Sequence, residues 1–399
     1  MRRPRALSRI QEKERLLKQL ADTKIPNRSD VLVVGGGAAG LMAGIAAAEE
    51  GATVVVVERD LECGRSILGT GNGRCNLANT HLDAAVYNAP DFVRDVTGET
   101  WLEDILDFFH GCGLVITEED EGRLYPLSHQ AASVREVLVE RALRSNVILA
   151  CGRKVRSVQH RQDRYLVEGQ EAFGHEIRYT YSAPAAVLAQ GHTRMLLPDV
   201  RQLSLFGVLC PLAVEDPTLH DIDGRRSQAI LTLKRDEEIV AVERGEVLFK
   251  KDALSGICIF NLSRVARARD TLTLDLLPDL SLDEARKYTT HTLSGVLDPI
   301  IAKALIEREG SIDGALVRAK SWELNVRGLT DTNRAQVMRG GLILSDFSST
   351  TLEAVEHPGL FAAGEALDID GPCGGFNLAW AWKSGMVAGK NAAAFAASH

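Results

Sequence analysis

The sequence predicts an α/β protein: an open, mostly parallel sheet with helices, interrupted by an inserted segment of different pattern. Three observations carry this prediction. A short apolar strand runs into a glycine-rich turn and an alanine-rich helix near the start. A strand–glycine–helix pattern returns near the end, and between about 195 and 335 the pattern changes to short strands followed by helices. The 399 residues suffice for two or three domains, and 45% hydrophobic with 25% charged residues is ordinary for a globular chain with a sizeable core.

The first observation lies in residues 30–60, DVLVVGGGAAGLMAGIAAAEEGATVVVVERD. Val31 to Val34 reads as a buried parallel strand, an Ala-rich helix runs to Glu50, Gly51 ends it, and Thr53 to Val57 is the next strand. Gly35, Gly37 and Gly40 form G-x-G-x-x-G between strand and helix, and Glu58 stands 18 residues after Gly40 at the end of the second strand. In that context the motif is the signature of a Rossmann-like dinucleotide site. Gly35 allows the tight turn. Gly37 lets a pyrophosphate approach the first helical turn at Ala38 and Ala39, where free N–H groups and the helix dipole favour an anion. Gly40 permits close helix–strand packing, and Glu58 can accept ribose hydroxyls. Arg59 and Arg65 complete the candidate contacts of this half. The motif alone does not separate NAD from FAD.

Two further stretches do. GRSILGTGNGRCNLAN, residues 64–79, is too polar for a core strand and too rich in glycine for a helix. GLFAAGEALDIDGPCGGFNLAWAWKSG, residues 359–385, reads as a strand (Leu360 to Ala363), then Gly364-Glu365, a polar loop, Gly374-Gly375 and a helix from about Phe376. Flavoproteins of the two-dinucleotide-fold type close an FAD site this way. The late strand–Gly–acid element meets the ribitol and pyrophosphate, and the following helix N-terminus faces the pyrimidine end of the flavin.

With these segments the chain resembles the bacterial flavoprotein family that contains aminoacetone oxidases and the flavin reductase of bile-acid 7-dehydroxylation. The resemblance covers nearly everything after residue 29 and includes GRLYPLSHQAASV (122–134) and GEVLFKKDALSGICIFNLSR (245–264). It implies that Asn72, Gly73, Arg74, Cys75 and Asn76 lie along the isoalloxazine of a non-covalent FAD, and that Val155 offers a backbone contact in the adenine pocket. It implies the same of Gly191, Gly364, Glu365, Asp370, Gly374, Gly375, Phe376 and Asn377 elsewhere on the cofactor. Many relatives carry A-T-G-G where this chain reads VLAQGHTRM, so Gln190 and His192 mark a departure; His192 borders the active site or sits at a domain hinge.

The implied activity is that of an FAD-dependent oxidoreductase. The leading expectation is an NAD(P)H-driven reductase of an activated C=C bond, an enone of steroid or bile-acid type, by hydride transfer from flavin N5. The alternatives are an amine oxidase of the aminoacetone type, producing hydrogen peroxide, and a non-catalytic flavin-binding regulatory protein. No second G-x-G-x-x-G strand–helix unit exists, so a separate NAD(P)H domain is not expected. Arg74, Tyr125 and His129 are the catalytic candidates. Arg74 can stabilise negative charge or form a structural salt bridge. Tyr125 can donate a proton or pack under the loop. His129, which titrates near neutrality when unperturbed, can act as acid–base or be an exposed loop residue. Cys63 and Cys75 can be imagined as a redox pair, but small-residue filler is the better reading.

The domain expectation is a basic helical arm (1–28), a first FAD-binding part (29–194), an inserted substrate domain of β-barrel and helices (195–335), and a second FAD-binding part (336–399). Helices are expected at 98–111, 130–144, 282–293, 298–308 and 311–320. Strands are expected at Gly207–Val214, Gln228–Leu233, Glu238–Val242 and Glu246–Phe249, with a hairpin ending at 124–126 and a meander over 147–190. The net charge of -8 argues against nucleic acid as a partner, and a small-molecule substrate is expected. The arm carries nine Lys/Arg and three Asp/Glu, so the remainder is about -14; Leu7, Ile10, Leu17 and Leu20 suggest a short amphipathic helix, packed on the body or used for docking or homo-oligomer contacts. No apolar run is long enough to span a bilayer, seven scattered cysteines argue for reduced thiols in the cytoplasm, and no metal-ligand spacing appears.

Overall fold

The structure, a computed structural model, describes residues 9–173, 177–191, 200–289 and 291–399. His192 and the first eight residues of the basic arm lie outside the described residues. The chain divides into two compact units, Met1–Leu205 with Arg339–His399, and Phe206–Met338.

The first unit is built on a five-stranded parallel sheet in the order Leu360–Ala362, Ala185–Leu188, Val31–Val34, Val54–Val57, Ile148–Ala150. Its three central strands are entirely buried runs of aliphatic residues, as a parallel sheet covered on both faces requires. Helix Ala38–Glu49 follows the first strand and packs against the long C-terminal helix Phe376–Ala397. Small residues make that crossing close: a Cβ on Gly389 would lie 2.2 Å from Ala43 O. A three-stranded antiparallel sheet (Ala78–Asn79, Arg123–Pro126, Ile116–Glu119) and a meander (Arg153–Arg161, Arg164–Glu171, Arg178–Ala183) complete the unit's strands. Helix Ala131–Arg144 and the arm helix Arg9–Asp22 also belong to it.

The second unit has its own core. A closed barrel runs Leu212–Val214, Ala253–Ser255, Glu238–Lys250, Arg226–Arg235, Thr271–Asp275 and Trp322–Leu329, back to the first. Phe249 and Trp322 stack with ring centroids 5.8 Å apart, and both are buried. Helices Leu282–Tyr288, Pro299–Glu309 and Ile312–Lys320 are N-capped by Ser281, Asp298 and Ser311, each of whose side chains accepts a backbone N–H. The inserted barrel-plus-helical architecture is therefore present.

Several boundaries differ from the sequence reading. The helix expected over 98–111 is present as Trp101–Gly111, and a further helix, Pro90–Thr97, precedes it and ends at Gly98, which sits at φ +64. Gly207–Val214 is split between Gln202–Val208 and Leu212–Val214, with Leu209 at φ +54 and Pro211 between them. The pieces Glu238–Val242 and Glu246–Phe249 are one strand, Glu238–Lys250. Its polar middle, Glu243-Arg244-Gly245, pairs with Leu231, Ile230 and Ala229 and does not turn. The helix expected over 282–293 stops at Tyr288.

Candidate functional site

The dinucleotide turn has the geometry its glycines require. Gly35 sits at φ +104, and a Cβ there would lie 2.4 Å from Ala189 O; a Cβ on Gly40 would lie 1.8 Å from Gly35 O. Neither position tolerates a side chain without breaking the strand–turn–helix contact. Helix Ala38–Glu49 begins at Gly37 without a side-chain cap, which leaves its first amides at Ala38 and Ala39 open to an anion. Glu58 accepts the Gly36 N–H at 2.7 Å and the Asp60 N–H at 2.8 Å, one on each carboxylate oxygen. Each oxygen keeps a second lone pair for a hydroxyl donor. The carbonyl of Glu58 accepts the Arg153 N–H at 2.7 Å, which starts the strand carrying Val155 beside this acid. Arg59 and Arg65 are exposed.

The loop after Glu58 is not extended. Residues Arg65–Gly73 wind as 3-10 turns broken at Thr70–Asn72, where Gly71 and Asn72 are both left-handed at φ +55. Cys75 is left-handed as well, at φ +58. Non-glycine residues hold this conformation at a cost and concentrate where a loop presents its backbone to a ligand. The side-chain Oδ1 of Asn76 is buried and has no hydrogen-bond partner, an unmet acceptor at a position assigned to the flavin. Cys75 is fully buried, and burial pushes its thiol up to about 12.

The C-terminal loop meets this segment directly. Asn79 Nδ2 donates to Gly374 O at 2.9 Å and to Glu121 O at 3.1 Å, and Trp382 Nε1 donates to Leu77 O at 2.9 Å. Gly375, at φ +100, caps helix Phe376–Ala397 without a side chain; a Cβ there would lie 2.3 Å from Ala78 O. A second uncapped helix N-terminus therefore stands beside the 72–79 loop. Phe376 is buried against Tyr87, whose hydroxyl donates to Phe376 O at 2.7 Å. Gly191 and Glu365 are adjacent: a Cβ on Gly191 would be 3.4 Å from Glu365 Oε2.

Two residues assigned to the cofactor have side chains engaged with other residues of the chain. Asp370 is fully buried and bound bidentately by Arg339, with Nε to Oδ2 at 2.6 Å and Nη2 to Oδ1 at 2.7 Å. Asn377 accepts the Gly371 N–H at 2.9 Å and donates to Gly371 O and Pro372 O at 2.9 and 3.1 Å. Both contacts shape the 370–377 turn. Cys63 has Cys151, not Cys75, as its thiol neighbour, with the sulfurs 3.5 Å apart; this contact and burial raise the Cys63 thiol well above its ordinary value.

The three catalytic candidates come together in one cluster. The guanidinium of Arg74 lies 4.3 Å from the centroid of the Tyr125 ring, and its Nη2 is 2.9 Å from His129 Nδ1. The same Nη2 is ion-paired with Glu119 Oε1, which is 3.3 Å from His129 Nδ1. Tyr125 is buried, whereas Arg74 and His129 are each about two-fifths exposed. Sequence reasoning missed Glu119, Asn79 and Arg339. Glu119 sits in the acidic run TEEDEG, where nothing separates it from its neighbours.

An FAD fits these residues. Two helix N-termini lack side-chain caps, a buried amide oxygen on the intervening loop lacks a donor, and an acid stands at the end of the second strand. Residues 29–391 match the model of the HI0933-like protein Rossmann domain family. A 3-dehydro-bile acid delta(4,6)-reductase from Clostridium scindens is 32% identical, over 90% of this chain and 98% of that protein. Ribosomal RNA dihydrouridine synthases from Escherichia coli K12 and Haemophilus influenzae are each 25% identical, over 90% and 89% of this chain and 96% of each relative.

Proposed function

This chain belongs to the HI0933-like protein Rossmann domain family and is an FAD-dependent oxidoreductase, and we propose that it is an NAD(P)H-driven reductase of a C=C bond conjugated to a carbonyl. The observation that carries the proposal is the Arg74–His129–Glu119–Tyr125 cluster, in which hairpin residues meet Arg74 of the loop assigned to the flavin. When bound, FAD supplies two-electron hydride transfer from the nicotinamide to the β-carbon of the acceptor.

The chain's own residues supply orientation, charge and a proton. Glu58 would hold the ribose, the first turn of Ala38–Glu49 would receive the pyrophosphate, and Asn76 with the N-terminus of Phe376–Ala397 would lie against the isoalloxazine. A guanidinium has donors only, so the short contact from Arg74 Nη2 makes His129 Nδ1 an acceptor and places the imidazole proton on Nε2. That N–H is the group we assign to protonation of the α-carbon; the imidazolate it leaves is hydrogen-bonded at Nδ1 by the Arg74 guanidinium and regains its proton from water, and Arg74 also offsets the negative charge that develops on the substrate oxygen. Tyr125 holds the guanidinium from below. The unit Phe206–Met338 is assigned to substrate selection.

The names of the two kinds of relative describe reactions of one chemical type, since a delta(4,6) 3-dehydro-bile acid and a uridine both carry a C=C bond conjugated to a carbonyl. The net charge of -8 favours a small-molecule acceptor over a polyanion. Anaerobic titration with NADH and then NADPH tests the proposal. Bleaching of the visible flavin band by either one, followed by its return on adding a conjugated enone, is the expected result. A flavin that resists both nucleotides but yields hydrogen peroxide with small amines in air would put an amine oxidase in its place.

A further inference from the structure

Glu119 stands outside every role assigned so far, yet it touches two of the three residues proposed to act on the substrate. It ends strand Ile116–Glu119, whose hairpin partner Arg123–Pro126 carries Tyr125, and the register sets Glu119 opposite Arg123 and Thr117 opposite Tyr125. One carboxylate oxygen, Oε1, is ion-paired with Arg74 Nη2 and lies 3.3 Å from His129 Nδ1. Two of the neighbouring acids are engaged elsewhere: Glu118 accepts from Thr80 Oγ1 at 3.1 Å, and Glu121 pairs with Arg123.

We propose that Glu119 is a positioning residue that holds Arg74 Nη2 against His129 Nδ1 and so fixes the His129 proton on Nε2; this rests on the reading of His129 as the proton donor. The argument is one of valence. An Nη2 group carries two hydrogens, and two acceptors face it, Glu119 Oε1 and His129 Nδ1. With the carboxylate in place, one hydrogen goes to each acceptor, and the 2.9 Å contact from Nη2 favours the tautomer with Nδ1 unprotonated over one that donates from Nδ1 to Oε1 at 3.3 Å. Without it, an exposed arginine has many rotamers, and its stacking on Tyr125 alone does not aim Nη2 at the ring. The imidazole then divides between two tautomers, and the one with the proton on Nδ1 presents a lone pair to the substrate where a donor is needed. The groups that face the imidazole in this cluster are Arg74, Glu119 and Tyr125, from three different segments.

The test uses Glu119→Ala and Glu119→Gln in the full-length holoenzyme. In Glu119→Ala the rate of enone reduction should fall about 10- to 100-fold, the range for a misplaced general acid, while flavin reduction by the nicotinamide and the substrate KM stay within about twofold. Glu119→Gln, which keeps an oxygen acceptor for Nη2, should recover most of that loss. Nitrogen-15 NMR of labelled imidazoles gives an arm independent of activity, with the His129 signals assigned by their absence in His129→Gln. The wild-type spectrum should show an unprotonated Nδ1 and a protonated Nε2, and Glu119→Ala should show averaged values. An unaltered ring spectrum in Glu119→Ala would overturn the proposal. So would equal losses in both half-reactions. If the wild-type protein reduces no enone but the ring spectra behave as described, the functional reading fails while the positioning role stands.

Discussion

Replacing Arg339 with methionine isolates the contact that shapes the C-terminal flavin loop. Asp370 is fully buried, and both its carboxylate oxygens are bound by Arg339, whose side chain is about one-fifth exposed. Removing only the cation leaves a buried carboxylate without its main partner, and breaking such a pair costs about 3–5 kcal/mol. For a unit of this size, each kcal/mol shifts the midpoint by about 2–4 °C, so thermal unfolding of Arg339→Met should begin about 10 °C lower. The loop also carries the turn that presents Gly374 and Gly375, so FAD affinity should fall in the same variant. Adding Asp370→Asn should restore part of the lost stability, because the amide carries no charge to strand. Differential scanning fluorimetry with and without added FAD reads both effects. A drop of less than about 2 °C, or a double variant no more stable than the single one, would refute the claim that this pair organises the loop.

Two further outcomes follow from buried groups. In Asn76→Leu the unpaired acceptor is gone, so the apo-protein should be no less stable than the wild type, while FAD should bind about tenfold more weakly; an unchanged dissociation constant would remove Asn76 from the site. Cys75, held at about 12 by burial, should react with iodoacetamide at pH 8 about a thousandfold more slowly than an ordinary thiol, and rapid alkylation of the folded protein would contradict that placement. The sign for stability runs the same way: the fold favours the neutral thiol, so its contribution is intact below pH 9 and is lost as pH rises from about 9 to about 12.

What the sequence made legible is what glycine and periodicity encode. Gly35 and Gly40 have one physical use in a strand–turn–helix, and the structure shows the contacts that forbid a Cβ at each. The 64–79 loop and the 374–377 turn were readable as two segments needing close backbone approach, and Asn79 and Gly375 bring them together. Glu119 was not legible, because its importance comes from hairpin register and not from its own neighbourhood in the chain. Arg339 escaped for a similar reason: it lies 31 residues before Asp370, and nothing local marks either as half of a buried pair. The barrel strand Glu238–Lys250 was cut in two by a polar middle that looks like a turn until its partner Arg226–Arg235 is known. His192, one of the two residues that depart from the family pattern near the returning strand, lies outside the described residues.

The central claim is that this flavoprotein delivers electrons to a conjugated C=C bond. The most direct measurement is a single turnover that needs no nicotinamide. The holoenzyme is reduced with dithionite, freed of excess reductant, and mixed anaerobically with a 3-oxo-Δ4 steroid while the visible flavin band and the product are followed. The account predicts that the band returns with one saturated product formed per flavin, and that His129→Gln slows this return about a hundredfold or more. A band that stays bleached with every conjugated acceptor, yet returns at once on admitting air, would contradict it.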